Sequence, residues 1–294
     1  MEILEKESKM ILENKQYELE NKTKDINMQT LIKNLNTRID YSNFLVLILK
    51  VKYNTDFSNL NMYGLKGLDY IKSAVNICET KIVDYDFNED IIKKIKQNLN
   101  EKKYVAVVFS DTPLITRHTF LEILDYFKYK SLCALKFNRG YVFETEYLKS
   151  VEKVYNPQVQ NFTEEDFIKV TDQKSFTYCN EILKNRILRY HISNGVIIED
   201  LNSCFIDAEV NIESGVTICP NVCLKGKTTI KENSYVGFNS FIKDSLINKN
   251  CKIENSILEN SVIELNCKVL DYSVIKNAKL NENSIVSNEN IIGG

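Results

Sequence analysis

The chain has 294 residues, 44% of them hydrophobic, with 38 basic residues against 40 acidic. That length suggests about two domains with a sizeable core, and the near-zero balance gives no electrostatic footprint for nucleic acid and no acidic solvating tail. No apolar run approaches the roughly 18–20 residues of a membrane span, the opening MEILEKESKM lacks an apolar signal region, and eight cysteines scattered without CxxC pairs or nearby histidines argue against zinc and for a reduced, cytoplasmic compartment.

Residues 1–40 carry Leu4, Ile11, Leu12 and Leu19, then Met28, Leu31, Ile32, Leu35 and Ile39, spacings that predict two amphipathic helices. They read as a cover for a bare sheet face or as a partner-binding hairpin. A second region, 41–180, alternates strand and helix patterns. FLVLIL at 44–49 predicts a buried strand, 67–78 a helix, and 81–86 a short strand. A helix over 88–100 has Asn88 as its expected cap. A buried strand at 104–110 is followed by a helix over 116–128 capped by Thr116, then strands at 131–137 and 141–145. This order predicts an α/β sheet.

In such sheets ligands sit beyond the carboxyl ends of strands. VVFSDTPLIT at 107–116 reads as a buried strand stopped by Asp111. A carboxylate there is placed to hold Mg²⁺ against a phosphate. It is equally placed to cap the turn before Pro113, and spacing alone leaves both readings open.

From 206 onward the period changes. Ile206, Ile212, Ile218, Leu224, Ile230, Val236 and Ile242 recur every six positions, and a small or β-branched residue follows each of the first six by four (Val210, Val216, Val222, Thr228, Ser234, Ser240). Neither helix nor strand has that period, so it predicts a triangular prism of three hexads per coil, with the aliphatic residue on the axis. After Ile242 the step slips between five and six (Ile247, Ile253, Leu258, Ile263, Val269), with room for four to five coils up to about residue 286. Cys251 and Cys267 fall on the small-residue position and read as corner residues, and Cys219 and Cys223 flank a turn. Lys, Asn and Ile are abundant, a bias that genome composition explains as well as physics does.

NRILRYHISNGVIIEDLNSCFID at 185–207 resembles the linker and first coil of the bacterial bifunctional UDP-N-acetylglucosamine diphosphorylase/glucosamine-1-phosphate acetyltransferase family. TTIKENSYVGFNSFIKDSLI at 228–247 is similar to its next coils, VFSDTPLIT at 108–116 to its Gly-Asp-x-Pro-Leu-Ile segment, and FNRGYVFE at 137–144 to its Asn-x-Gly-x-Tyr-x-Phe strand near the sugar. The resemblance implies an α/β nucleotidyltransferase-like (Rossmann-like) domain followed by a left-handed parallel β-helix. It divides the chain into 1–40, a degenerate α/β domain over 41–180, a linker helix over 181–200 and the β-helix over 201–294. It also implies Asp111 as the Mg²⁺ ligand, Ser110, Asn138 and Gly140 at the substrate, a nucleotide sugar or sugar phosphate as ligand, and a homotrimer whose packed prisms bury apolar faces.

The family's glycine-rich phosphate loop, L-x-A-G-x-G-T-R-M, has no counterpart in LKVKYNTDFSNLNMYGLKG at 49–67, which has no glycine before Gly64. Thr171 in VTDQ stands where the family has its second metal ligand, an asparagine, with Asp172 beside it. The acetyltransferase histidine belongs to later coils, while the two histidines here, His118 and His191, precede the β-helix. Two expectations follow: a shortened, catalytically impaired nucleotidyltransferase joining UTP to a sugar 1-phosphate, or a non-catalytic trimeric scaffold or sugar-nucleotide-binding protein.

Overall fold

A computed structural model describes residues 40–53 and 55–293. The two helices expected between Leu4 and Ile39 lie outside the described residues. The first body is a mixed sheet. Strand β1 (Phe44–Val51) leads through a 3-10 turn (Phe57–Asn59) to a small hairpin, β2 (Asn61–Met62) and β3 (Leu65–Lys66), and then to helix α1 (Gly67–Val75). Next come β4 (Glu79–Tyr85), α2 (Ile91–Lys96), β5 (Tyr104–Phe109), α3 (Arg117–Tyr129), β6 (Ala134–Phe137), β7 (Gly140–Glu144), α4 (Thr145–Ser150), β8 (Gln158–Val159) and the long linker helix α5 (Gln173–Ser193). The main sheet runs β4-β1-β5-β7-β6-β8, with β1 parallel to both β4 and β5, and β7 antiparallel to β5 and β6.

β1 is an unbroken apolar run because both sheet faces are covered. Leu45, Leu47 and Leu49 pack with Ile95 of α2 and Leu148 of α4, while Phe44, Val46 and Ile48 on the other side are equally inaccessible. Several element ends differ from expectation, two of them through their caps. The cap of α2 is Asp90, whose carboxylate accepts from Lys93 N–H at 3.0 Å; Asn88 instead closes a turn onto Asp86. The linker helix starts at Gln173 rather than 181, because Asp172 and Ser175 form a reciprocal capping box there. It ends at Asn194, followed by Gly195 at φ +86°, a conformation glycine adopts without strain. Thr116 caps α3 as expected, accepting from Thr119 N–H.

The second body is a left-handed parallel β-helix. Three flat sheets of short strands, of six, five and six strands, stack with every strand parallel to its neighbours. The axis is filled by Ile206, Ile212, Ile218, Leu224, Ile230, Val236 and Ile242, and the slipped series continues it through Ile247, Ile253, Leu258, Ile263, Val269, Ile275, Leu280 and Val286. The small residues sit buried at the corners. Serine hydroxyls there stitch coils together: Ser234 Oγ donates to Asn248 O at 2.9 Å and accepts from Cys251 N–H at 3.2 Å. Cys251 and Cys267 occupy the same position, and their thiols donate to Glu264 O and Asn281 O. All eight cysteines are free. Among the described residues no helix is long and apolar enough to cross a membrane.

The corners also explain much of the asparagine. Asn221, Asn233, Asn239, Asn250, Asn255, Asn260, Asn266, Asn277 and Asn283 all have positive φ. Asparagine tolerates that left-handed conformation better than any other residue with a Cβ. It falls three residues after the axial side chain in a six-residue step (Ile263 to Asn266) and two after it in a five-residue step (Leu258 to Asn260). Asn266, at φ +58°, accepts from Asn250 and donates to Asn283, both at 3.2 Å. Asn266→Val is expected to cost about 1–2 kcal/mol in urea unfolding, whereas Asn266→Gly, which accepts the same φ, costs only tenths.

Candidate functional site

The end of β5 is where the site residues meet. The register of β5 with β7 pairs Val108 with Gly140, so the two-residue turn between β6 and β7, Asn138-Arg139, lies beside Phe109 and Ser110. Gly140 is required by packing: a Cβ there would sit 2.3 Å from the Val107 carbonyl oxygen and 2.2 Å from Phe137 Cζ. Asn138 clamps the chain at Phe162, accepting its N–H at 2.7 Å. Ser110, buried, accepts Val51 N–H at 3.0 Å. Each of these three expected substrate contacts therefore has a partner within the chain.

Asp111 is the centre of the cluster, and its side chain is only 1% exposed. Arg139 grips it from two directions, Nε to Oδ1 at 3.2 Å and Nη2 to Oδ2 at 2.7 Å. Tyr53, from the segment after β1, donates its hydroxyl to Oδ2 at 2.8 Å. The guanidinium lies 4.0 Å from the Phe109 ring centre and 5.8 Å from that of Phe87, which in turn packs on Tyr53 and Tyr85. Burial, reinforced by the bond to the Asp111 carboxylate, pushes the Tyr53 hydroxyl well above its ordinary range, so it stays a proton donor.

This donor set does not fit Mg²⁺. The ion demands near-octahedral oxygen coordination and usually keeps one or two carboxylates beside its waters. Here one carboxylate is engaged by a cation and a phenol, and among the described residues no group of three acidic, cysteine or histidine side chains converges. The segment expected to bring the second ligand does run beside Asp111, since Val170 N–H bonds to the Asp111 carbonyl at 2.7 Å. Its polar groups go elsewhere: Thr171 is exposed, and Asp172 is the cap of α5 rather than a strand residue.

Among the described residues after β1, several backbone amides are bonded within the chain. Val51 N–H bonds to Ser110 Oγ, Lys52 N–H to Tyr85 O, Asn59 N–H to Asp56 O, Leu60 N–H to Phe57 O, and Gly64 N–H to Asn61 Oδ1. Phe57 turns inward onto Met62, Leu114, Val170 and Cys179. The hairpin tip then reaches the first coil, where Tyr63 O accepts Ala208 N–H at 2.9 Å. These amides are therefore not free to receive an anion.

No family model matches the chain. It is 34% identical over 128 residues to the bifunctional protein GlmU of Caldanaerobacter subterraneus subsp. tengcongensis, a match covering 44% of this chain and 26% of that protein. To the bifunctional protein GlmU of Clostridioides difficile it is 37% identical over 94 residues, 32% of this chain and 20% of that one. The chain is similar to part of GlmU. It spans about a quarter or less of the length of these relatives. A solved 4-diphosphocytidyl-2C-methyl-D-erythritol synthase from Anaerococcus prevotii matches 48% of the chain at 12% identity and a TM-score of 0.34.

Arg139 and Tyr53 are the two site residues the sequence did not reveal. Arg139 lies within the quoted FNRGYVFE, at a position the family pattern leaves open. An arginine in a turn next to the end of the acid-bearing strand is a signal only once the β5–β7 pairing is known.

Proposed function

We propose that this GlmU-like chain is a sugar-nucleotide nucleotidyltransferase relative that has lost turnover and acts through its β-helix rather than through chemistry at β5. The observation that carries the reading is the Asp111–Arg139–Tyr53 cluster. An arginine supplies, permanently, the positive charge that the resemblance assigns to Mg²⁺. Electrostatic stabilisation of the transferred phosphoryl group is the main work of such a site. With the Asp111 carboxylate sealed by Arg139, a metal has lost its partner there.

A nucleotide sugar or sugar phosphate remains the ligand class the family likeness supports. Ser110, Asn138 and Gly140 would then act by shaping the β6–β7 turn beside the end of β5. The homotrimer and the cytoplasmic location rest on that likeness and, for location, on the eight free cysteines. The test is pyrophosphate release from UTP and N-acetylglucosamine 1-phosphate with Mg²⁺. We expect none above a blank, for wild type and Asp111→Asn alike. Turnover that Asp111→Asn abolishes would overturn the reading.

A further inference from the structure

Helix α5 ends in a turn that fastens it to the prism. Val196 N–H donates to His191 O at 3.1 Å and Gly195 N–H to Ile192 O at 3.0 Å, the paired bonds of a Schellman end. Such an end commonly sets an apolar side chain at its first bonded position against one at its last. The last here is Val196, 3% exposed; the first is a histidine, His191, also 3% exposed. Leu188, one turn earlier on the same side of α5, is buried and belongs with Val196 to the axial cluster of the prism. α5 packs on the first two prism strands, Ile197–Ile198 and Phe205–Ile206. The side of α5 carrying Leu188 and His191 thus closes the first coil, and Ile197 N–H joins that coil to the next through Val216 O at 2.9 Å.

His191 is the member of this contact that can take up a proton near neutral pH. Its Nδ1 is buried without a partner, so a proton there finds no acceptor. The charged groups on both packed elements are engaged elsewhere or face water. On α5, Lys184 donates to Asn202 O, Arg186 to Glu165 and Asp166, and Arg189 is exposed. On the coil, Glu199 and Glu209 are exposed, Asp200 accepts from Asn202 N–H, Asp207 from Gly226 N–H and Glu213 from Lys231, and the Cys204 thiol donates to Cys219 O. Burial is left to act on the imidazole and holds it below the usual histidine range. The negative end of the helix dipole would favour a cation, but the carbonyls of His191 and Ile192 are already taken by the Schellman bonds. The neutral ring is the packed form. Its contribution to stability is whole above the ordinary histidine value of about 6.5 and falls away as the pH drops below it. We propose that His191 is an acid-sensitive latch: a proton taken up there releases the last turn of α5 from the first coil and loosens the joint between the sheet body and the prism. This holds whether or not any turnover survives.

Hydrogen exchange of the full chain at about pH 7.5 and about pH 5, corrected for intrinsic rates, tests the latch. Protection over 188–198 is expected to fall roughly 10- to 30-fold more than that over 44–49, the gain in proton uptake that a released histidine of ordinary pKa makes at the lower pH. His118→Gln, which removes the exposed histidine, should keep the effect, and His191→Leu, which fills the place with an apolar side chain, should abolish it. Because His191→Leu alters the packing, a second measurement keeps the native residue. In His118→Gln the His191 imidazole is followed by NMR, and it should titrate at lower pH than in the same chain unfolded in urea. Equal midpoints, an equal fall across 44–49, or a fall that persists in His191→Leu would overturn the inference.

Discussion

Arg139→Ala is expected to lower the unfolding free energy by about 3–5 kcal/mol, the cost of leaving a buried carboxylate without its cation. Asp111 has no route to water that would soften the loss, its side chain being 1% exposed. Tyr53 remains as one donor, but a phenol does not neutralise a charge. Arg139→Lys is expected to recover only part, because an ammonium cannot reproduce the forked Nε/Nη2 grip or lie flat on Phe109. The double variant Asp111→Asn/Arg139→Ala should be more stable than Arg139→Ala alone, since the stranded charge is gone. A double-mutant cycle in urea measures this directly. Additive losses would mean that the pair is not coupled and that Arg139 is a surface residue leaning on the site. Against a total stability of 5–15 kcal/mol, the pair is a structural element of the first rank.

The second large effect lies at Asp166. Its buried carboxylate accepts from Thr119 Oγ1 at 2.6 Å, Thr116 Oγ1 at 2.9 Å and Arg186 Nη2 at 2.7 Å. Arg186, on the linker helix, also donates to Leu114 O at 2.7 Å. One carboxylate thus binds the start of α3 to the helix that carries the prism. Asp166→Ala is expected to cost about 3 kcal/mol, less than Arg139→Ala because Arg186 is partly solvated. Hydrogen exchange should rise across 110–119 and 180–190 together. A rise confined to 110–119 would show that the helix is held by its apolar contacts alone.

The prism was legible in the sequence because each axial side chain reports the same environment at a near-constant step, so errors do not accumulate. The strands β1 and β5 were legible for a related reason: apolar runs such as Phe44–Leu49 have one place to go. Boundaries set by a single cap were less so. The resemblance put Thr171 at the place of the second metal ligand with Asp172 beside it, while the bond of Asp172 with Ser175 starts a helix there. The fate of Asp111 was not legible at all. Its partner lies 28 residues away and is delivered by an antiparallel pairing that no local pattern encodes. The asparagine excess seemed a matter of composition until backbone conformation gave most of the corners to that residue.

The coils of the prism are not equal in length. From Ile206 the repeat to the same face is Leu224, Ile242, Leu258, Ile275 and Ile292, and the missing residues are all taken out at corners, as at Asn255 and Asn260. Single-residue insertions and deletions at these vertices should therefore leave the stack in phase, while the same change inside a two-residue strand would throw every later side chain to the wrong side. The scaffold has a built-in tolerance for drift in length, confined to its edges.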